Sequence, residues 1–257
     1  MMIVDTKGKF FSTRHIWFDD LYSNSENISS GGADEVFLHA NQVPLECGRW
    51  GWYQKQYSLI TDLQNDECDL WSSVNKTFKY HINRSRRDSI DIRTYSSLEI
   101  LDNADILNDF AEVYTNMYTE KGMTGKKLGI SELRAYAKSG HLVITAAIFD
   151  DKVIVYHSYV FNEECCRLLH SCSEFRAADK NIRNLIGRAN KRLHWEDIIM
   201  FKAKGVKYYD WGGVASFDNP NGIDNFKMSF GNERVSYYNV HIFRSLKRKI
   251  YHYLFGK

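Results

Sequence analysis

Three consecutive runs of β-forming residues, 141–149, 152–161 and 165–173, are separated only by Asp150-Asp151 and by Asn162-Glu163-Glu164. Connections this short join antiparallel neighbours, so the runs read as a meander. A helical pattern follows from about residue 179 past Leu193, with Ile182, Leu185, Ile186, Ala189 and Leu193 on one face. A short strand at 206–210 comes next. A helix between strands of one sheet must cover a face of that sheet, which makes this part of the chain an α/β layer. The apolar phase slips near His194 and predicts a break, or a second helix ending at Gly205. After Gly212 and Gly213 the pattern gives a loop, a helix near 222–230 and a strand at 234–243.

Upstream, strand-like runs stand at 15–19, 35–42 and 57–62, and the Asn/Ser/Gly composition of 23–32 marks a surface loop. Leu70, Val74, Phe78 and Ile82 recur at helical spacing and lead into Arg84, Arg86 and Arg87, an amphipathic helix with a cationic end. A second helix is expected over 98–121, carried by Ile100, Ala104, Leu107, Ala111, Tyr114 and Tyr118. Glycines at 122, 125 and 129 interrupt it before a shorter helix at 131–138. No sequence repeat is present, yet the layout accommodates two structurally similar halves, 1–125 and 126–257.

Composition excludes several classes. With 257 residues, 44% of them apolar and 26% charged, the chain is globular rather than disordered. Its 34 basic and 32 acidic residues give a net charge of +2, too balanced for a general DNA-binding field. Cys47, Cys68, Cys165, Cys166 and Cys172 form no CxxC pair, and no secretory signal opens the sequence, which points to a reduced, cytoplasmic protein. Cys165 and Cys166 are adjacent on a strand and face opposite ways, a poor start for shared metal ligation, so no metal is expected. No run approaches the roughly 18 apolar residues of a membrane span.

The string Tyr-Tyr-Asp-Trp-Gly-Gly at 208–213, then Gly-Ile-Asp-Asn-Phe-Lys-Met-Ser-Phe-Gly at 222–231, resembles the signature of the FemABX-like branch of the GNAT acyltransferase superfamily. The stretch 185–205 is similar to the helix preceding that signature, and 57–87 to an opening strand and arginine-bearing helix. The resemblance covers roughly 57–238. It implies a GNAT-like α/β fold: a mixed, mostly antiparallel sheet whose central strands splay to admit the thioester arm of a donor. The donor it implies is acyl-CoA, or an aminoacyl-tRNA in the FemABX enzymes proper. The usual pyrophosphate loop is absent; Arg176, Lys180 and Asn181 stand in its place, with Arg183 just beyond and Ser173 at the end of the preceding strand. These residues, with the N–H groups of a helix start, are the expected donor contacts.

Neither a Ser/His/Asp nor a Cys/His signature is visible, which favours direct attack by an amine over a covalent intermediate. The resemblance places Lys227 at the acyl carbonyl as the electrophile. Asp210 could take a proton from the amine or cap the Gly212-Gly213 turn. His170 and Glu174 are candidate bases, as are His157 and His194; His157 and His170 lie on adjacent strands and are expected to share a face. Phe226, Tyr209 and Trp211, within the signature, are the expected substrate contacts. Trp52 could stack on a base or sugar and Arg84 could reach phosphate, or both could serve packing and solvation.

Three functions follow. The first is an acyl-CoA-dependent N-acyltransferase acting on a nucleotide-linked amino sugar in surface-polysaccharide synthesis, with residues 1–125 on the acceptor side and 126–257 carrying the acyltransferase half. The alternative is an aminoacyl-tRNA-dependent peptidoglycan transferase, although the chain lacks a sustained heptad for a coiled-coil arm. The third is a catalytically silent binding protein on the same fold. The basic segment 244–257 is expected to dock as a terminal helix rather than to contact membrane lipid.

Overall fold

The computed structural model describes residues 1–18, 31–42, 48–174, 179–231 and 233–256. The strands are β1 (Met2–Lys7), β2 (Ser12–Trp17), β3 (Glu35–Asn41), β4 (Gly51–Asp62), β5 (Asp91–Tyr95), β6 (Leu142–Phe149), β7 (Lys152–Phe161), β8 (Cys165–Ser173), β9 (Tyr208–Val214) and β10 (Glu233–Phe243). The α-helices are α1 (Glu67–Ser73), α2 (Lys76–Ser85), α3 (Ser97–Asp102), α4 (Asp105–Glu120), α5 (Ile130–Lys138), α6 (Lys180–Ala203), α7 (Gly222–Met228) and α8 (Leu246–Phe255).

Two compact units result, Met1–Ser58 with Gly213–Asn219 and Arg234–Lys257, and Leu59–Gly212 with Pro220–Glu233. A division at residue 125, expected from the sequence, falls inside the second unit. In the first unit β1, β2, β3, β10 and the opening part of β4 are neighbours in that order. Its core draws Ile16, Val36, Leu38 and Val240 from the inward positions of three strands. The helix α8 docks on this unit through ions and rings: Lys247 lies 2.8 Å from Asp34, and the Arg248 guanidinium sits 4.1 Å from the Phe243 ring. Docking was expected from its apolar spacing, yet Leu246, Ile250, Tyr253 and Leu254 are exposed and none of its residues is buried.

In the second unit the order is β4, β9, β8, β7, β6, β5, with antiparallel pairing from β8 through β5. The meander is the one the sequence predicts. Its first turn places Asp150 and Asp151 at φ 50° and 58°, the backbone a tight hairpin needs and that Asp tolerates. Ile186, Ala189 and Leu193 of α6 pack against Ala147, Ile154 and Val155 of β6 and β7. On the other face of β7, Tyr156 stacks on Phe110 of α4 at 5.0 Å.

Local chemistry moves several boundaries. The expected helix from Leu70 is two helices, because Val74 is extended and the Asn75 side chain starts α2 by accepting the Thr77 N–H at 2.8 Å. The helix expected over 98–121 divides at Asn103, which accepts the Asp105 N–H at 3.0 Å. In the opposite direction, α6 runs unbroken through His194, where the sequence predicts a break. Strands β1 and β5 have no counterpart in the sequence reading.

The feature that opens a site is a parting of strands. β8 pairs with β9 in parallel at Cys165↔Tyr208, Cys166↔Tyr209 and Arg167↔Asp210, and the pairing ends there. Opposite β7 the register shifts between Ser158↔His170 and Tyr159↔Leu168, leaving Leu169 as an extra residue. A bulge bends its strand, so β8 turns away from β9 just past the last shared pair. The expected splay is present but begins beyond Asp210; residues 208–210 themselves are paired.

Candidate active site

Three cavities adjoin through shared walls, all within the second unit, and two of them reach the far end of β8. The innermost, about 280 Å³, is lined by Leu168, Ser171 and Ser173 of β8, His194 of α6, and Phe226 and Lys227 of α7. It shares Ser173, Asn190 and Phe226 with a cavity of about 290 Å³. That second cavity shares Gly187 and Lys191 with a third of about 420 Å³, lined by His81 and Arg84 of α2 and by Arg183, Arg188 and Lys191 of α6.

The short helix α7 holds Lys227 by local bonds the sequence encodes. The Asn221 side chain accepts the N–H groups of Ile223 and Asp224 at 2.7 and 3.0 Å, and the Asp224 carboxylate accepts the Asn221 N–H at 3.0 Å, a capping box. At its far end Gly231 has φ +70°, and a Cβ there would meet Ser73 at 2.5 Å. Only glycine supplies that turn at that approach. Lys227 is half-buried. Burial pulls its ammonium down to about 8, opposed by the Asp210 carboxylate and reinforced by the Arg167 guanidinium. An ammonium so placed is charged near neutrality and only weakly hydrated.

One Asp210 carboxylate oxygen pairs with Arg167 and the other accepts the Gly212 N–H at 2.8 Å, the bond of a turn cap. Behind the cavity lies a buried polar network. The Tyr159 hydroxyl donates to Asp197 at 2.6 Å and lies 2.8 Å from the Tyr209 hydroxyl, which is 3.4 Å from His194 Nδ1. His157 contacts Asp197 at 2.7 Å through Nδ1 and the Asn190 amide at 2.8 Å through Nε2.

His157, His194 and Asp197 lie close enough to suggest a metal centre. Their geometry is poorly set for one. The two imidazoles stack at 3.9 Å with planes 27° apart, and in-plane lone pairs of stacked rings do not converge. Both nitrogens of His157 are already engaged.

The remaining expected residues divide plainly. Lys227, Phe226 and Ser173 meet at the inner cavity, and Arg84 and Arg183 meet at the cationic one. His170 and His157 occupy opposite faces of the sheet rather than one: β8 sets His170 against Ser158, and its ring meets Phe110 and Tyr114 of α4. Burial pushes its imidazole down to about 4. Glu174 is exposed and lines none of these cavities. Tyr209 and Trp211 are fully buried, so neither can touch substrate; Trp211 donates its indole N–H to Thr61 at 2.9 Å. Trp52 belongs to the first unit, edge-on to Phe37 and His241.

The expected phosphate contacts at the start of α6 change as well. Asp179 accepts the Asn181 and Ile182 N–H groups at 2.7 and 3.1 Å, so the helix caps itself with its own anion. That carboxylate occupies and repels where a phosphate would sit. Lys180 and Asn181 are exposed beside it, and Arg176 lies outside the described residues. Cys68, Cys165, Cys166 and Cys172 are unpaired thiols, and Cys47 also lies outside the described residues.

The sequence offered His194 as a candidate base but not Asn190 and Asp197, which complete a polar stripe with it. The spacing of four and three sets these residues on one face of α6, and their polarity is the phase slip that imitated a helix break.

No protein-family model matches the sequence, and neither does any curated protein. Solved structures do match. FemX aligns over 99% of this chain and 86% of its own, with 12% identity and a TM-score of 0.63. The C-terminal domain (DUF2156) of a putative lysylphosphatidylglycerol synthetase from Agrobacterium fabrum aligns over 96% and 82%, with 11% identity and a TM-score of 0.60. L-PGS from Bacillus licheniformis aligns over 99% and 86%, with 13% identity and a TM-score of 0.54. At these identities the likeness is one of fold, and the fold is the mixed α/β, GNAT-like architecture with parted central strands that the signature at 208–231 implies.

Proposed function

We propose that this protein is an N-acyltransferase that takes its acyl group from acyl-CoA and delivers it to the amino group of a nucleotide-linked amino sugar. One observation carries the reading: a single groove has a cationic end at Arg84, Arg183, Arg188 and Lys191 and a narrower end where Lys227 faces the β8 residues Leu168, Ser171 and Ser173. That asymmetry suits a donor with phosphates at one end and a reactive carbonyl at the other. His81 Nδ1, buried without a hydrogen-bond partner, adds an unused polar atom beside the cations.

In this reading the amine attacks the carbonyl carbon, and the oxygen that becomes negative is met by the Lys227 ammonium. The same ammonium can return a proton to the departing thiolate. Phe226 and Met117 give the donor's arm an apolar wall. The amino sugar rests on the occurrence of GNAT-like proteins of this size in surface-polysaccharide synthesis.

An aminoacyl-tRNA donor, as in the FemABX enzymes, is the second reading. It is favoured by the breadth of the cationic cavity and by the exposure of Arg84 and Arg183, which line it. Thermal shift against CoA, nucleotide sugars and tRNA separates the two, because a ligand that binds the native state alone raises stability with its concentration. Stabilisation by CoA and by a nucleotide amino sugar supports the first reading, stabilisation by tRNA alone the second, and no response to any of them removes both.

A further inference from the structure

We propose that His194 is the proton acceptor of the transfer, presented to the cavity as an unprotonated Nε2 by a one-way hydrogen-bond chain through Tyr209 and Tyr159 to Asp197. The assignment rests on the acyltransferase reading for its chemistry, while the chain itself is read from the bonds.

The direction follows by counting protons. A carboxylate only accepts, so the single Tyr159 proton is spent on Asp197 at 2.6 Å. Its oxygen can then only accept from Tyr209, 2.8 Å away, which spends the Tyr209 proton. The Tyr209 oxygen must therefore accept from His194, and the atom facing it at 3.4 Å is Nδ1. His194 is thus held as the Nδ1–H tautomer with its lone pair on Nε2. Among the described residues none bonds to Nε2, and His194 lines the inner cavity beside Lys227.

The surroundings fit the task. His194 is packed by His157 from β7, Trp211 from β9, and Phe226 and Phe230, the first on α7 and the second just beyond it. Burial holds its imidazole well below the usual range, helped by the charges of His157, Lys227 and Lys191, so it enters the reaction neutral. As the new C–N bond forms, the attacking nitrogen becomes acidic and its proton passes to Nε2. The Nδ1–H bond to Tyr209 then strengthens and carries part of the imidazolium charge toward Asp197. The leaving thiolate takes a proton from Lys227, and the imidazolium returns one, so an acyl thioester and an amine become an amide and a thiol. His194 acts on substrate; Tyr209, Tyr159 and Asp197 are positioning residues.

Long-range ¹H–¹⁵N spectra of the imidazoles decide the matter, with His194 assigned from the spectrum lost in His194→Gln. The expected result is a neutral Nδ1–H tautomer between pH 6 and 8 that moves toward Nε2–H in Tyr209→Phe, a variant that removes one buried hydroxyl and leaves the ring. An Nε2–H tautomer in the unmodified protein, or no change in Tyr209→Phe, overturns the chain. With acetyl-CoA and an amino-sugar nucleotide, His194→Gln is expected to slow transfer by about 10²- to 10⁴-fold. Transfer at the unmodified rate overturns the base role and leaves the acyltransferase reading intact. No transfer by the unmodified protein, with the expected tautomer present, removes that reading and the base role with it, while the chain stands on the spectra.

Discussion

Lys227 separates catalytic from structural cost because its burial works against folding. Its folded ammonium is drawn to about 8 from 10.5, so between those values the unfolded chain binds more protons and stability rises with pH. Below pH 8 both states are protonated and the burial penalty is present in full. Lys227→Met removes that penalty while keeping the apolar stem. The variant is expected to melt at the same temperature or higher at pH 7, and its advantage should shrink from pH 8 to 10.5 in denaturant titrations. Its turnover should fall by roughly a hundredfold, about 3 kcal/mol of lost oxyanion stabilisation. The histidines titrate with the same sign at lower pH. His170 and His194 are held neutral in the fold, His170 at about 4, so the unfolded chain takes up protons first as pH falls below 6.5. Stability should therefore fall from pH 6.5 toward pH 4, and His170→Asn should flatten part of that slope. At this scale the sequence offered Lys227 through its motif, and left the base open among five residues because a strand's facing is fixed only by register. Leu169, one extra residue, put His170 and His157 out of step with the expected pairing.

Elements show the same division between local and non-local information. The capping box at Asn221 and Asp224 and the stop at Gly231 are written in adjacent residues, so α7 was legible. Bending of β8 away from β9 depends on which residue faces which across strands, and no local pattern records it. The uninterrupted α6 is the instructive miss: a polar stripe inside an apolar face looks like a break until partners from β7 and β9 are seen to satisfy it. Glycines test how much of the signature is steric. Gly205 and Gly231 both have positive φ, +79° and +70°, but a Cβ on Gly205 meets nothing within 4 Å while one on Gly231 meets Ser73 at 2.5 Å. Gly205→Ala should cost about 1 kcal/mol for the left-handed backbone alone. Gly231→Ala should cost clearly more in the same denaturant titration and should also lower turnover, because the displaced segment carries Lys227. Equal losses would mean that the approach to Ser73 relaxes freely.

For the whole molecule, a net charge of +2 conceals an uneven distribution, since Arg84, Arg183, Arg188 and Lys191 share one cavity while Asp88 pairs with Arg188 alone, at 2.8 Å. No acidic side chain among the described residues pairs with Arg84 or Arg183, and both are exposed, so their pull on an anion is open to screening. Salt dependence then measures how many phosphates the groove takes. Binding of CoA should weaken with added salt and show a shallow slope, because few phosphates are neutralised, and Arg84→Ser with Arg183→Ser should remove most of that slope. A tRNA donor would behave differently: log affinity against log salt falls by roughly 0.7 to 0.9 per phosphate neutralised, so several backbone contacts would give a steep line. Tight tRNA binding with such a line, set beside CoA binding indifferent to both arginines, would move the donor from a thioester to an aminoacyl ester. The chemistry at Lys227 and His194 would be unchanged by that exchange, since a carbonyl oxygen still turns negative and an attacking nitrogen still sheds its proton, and only the group that departs would differ.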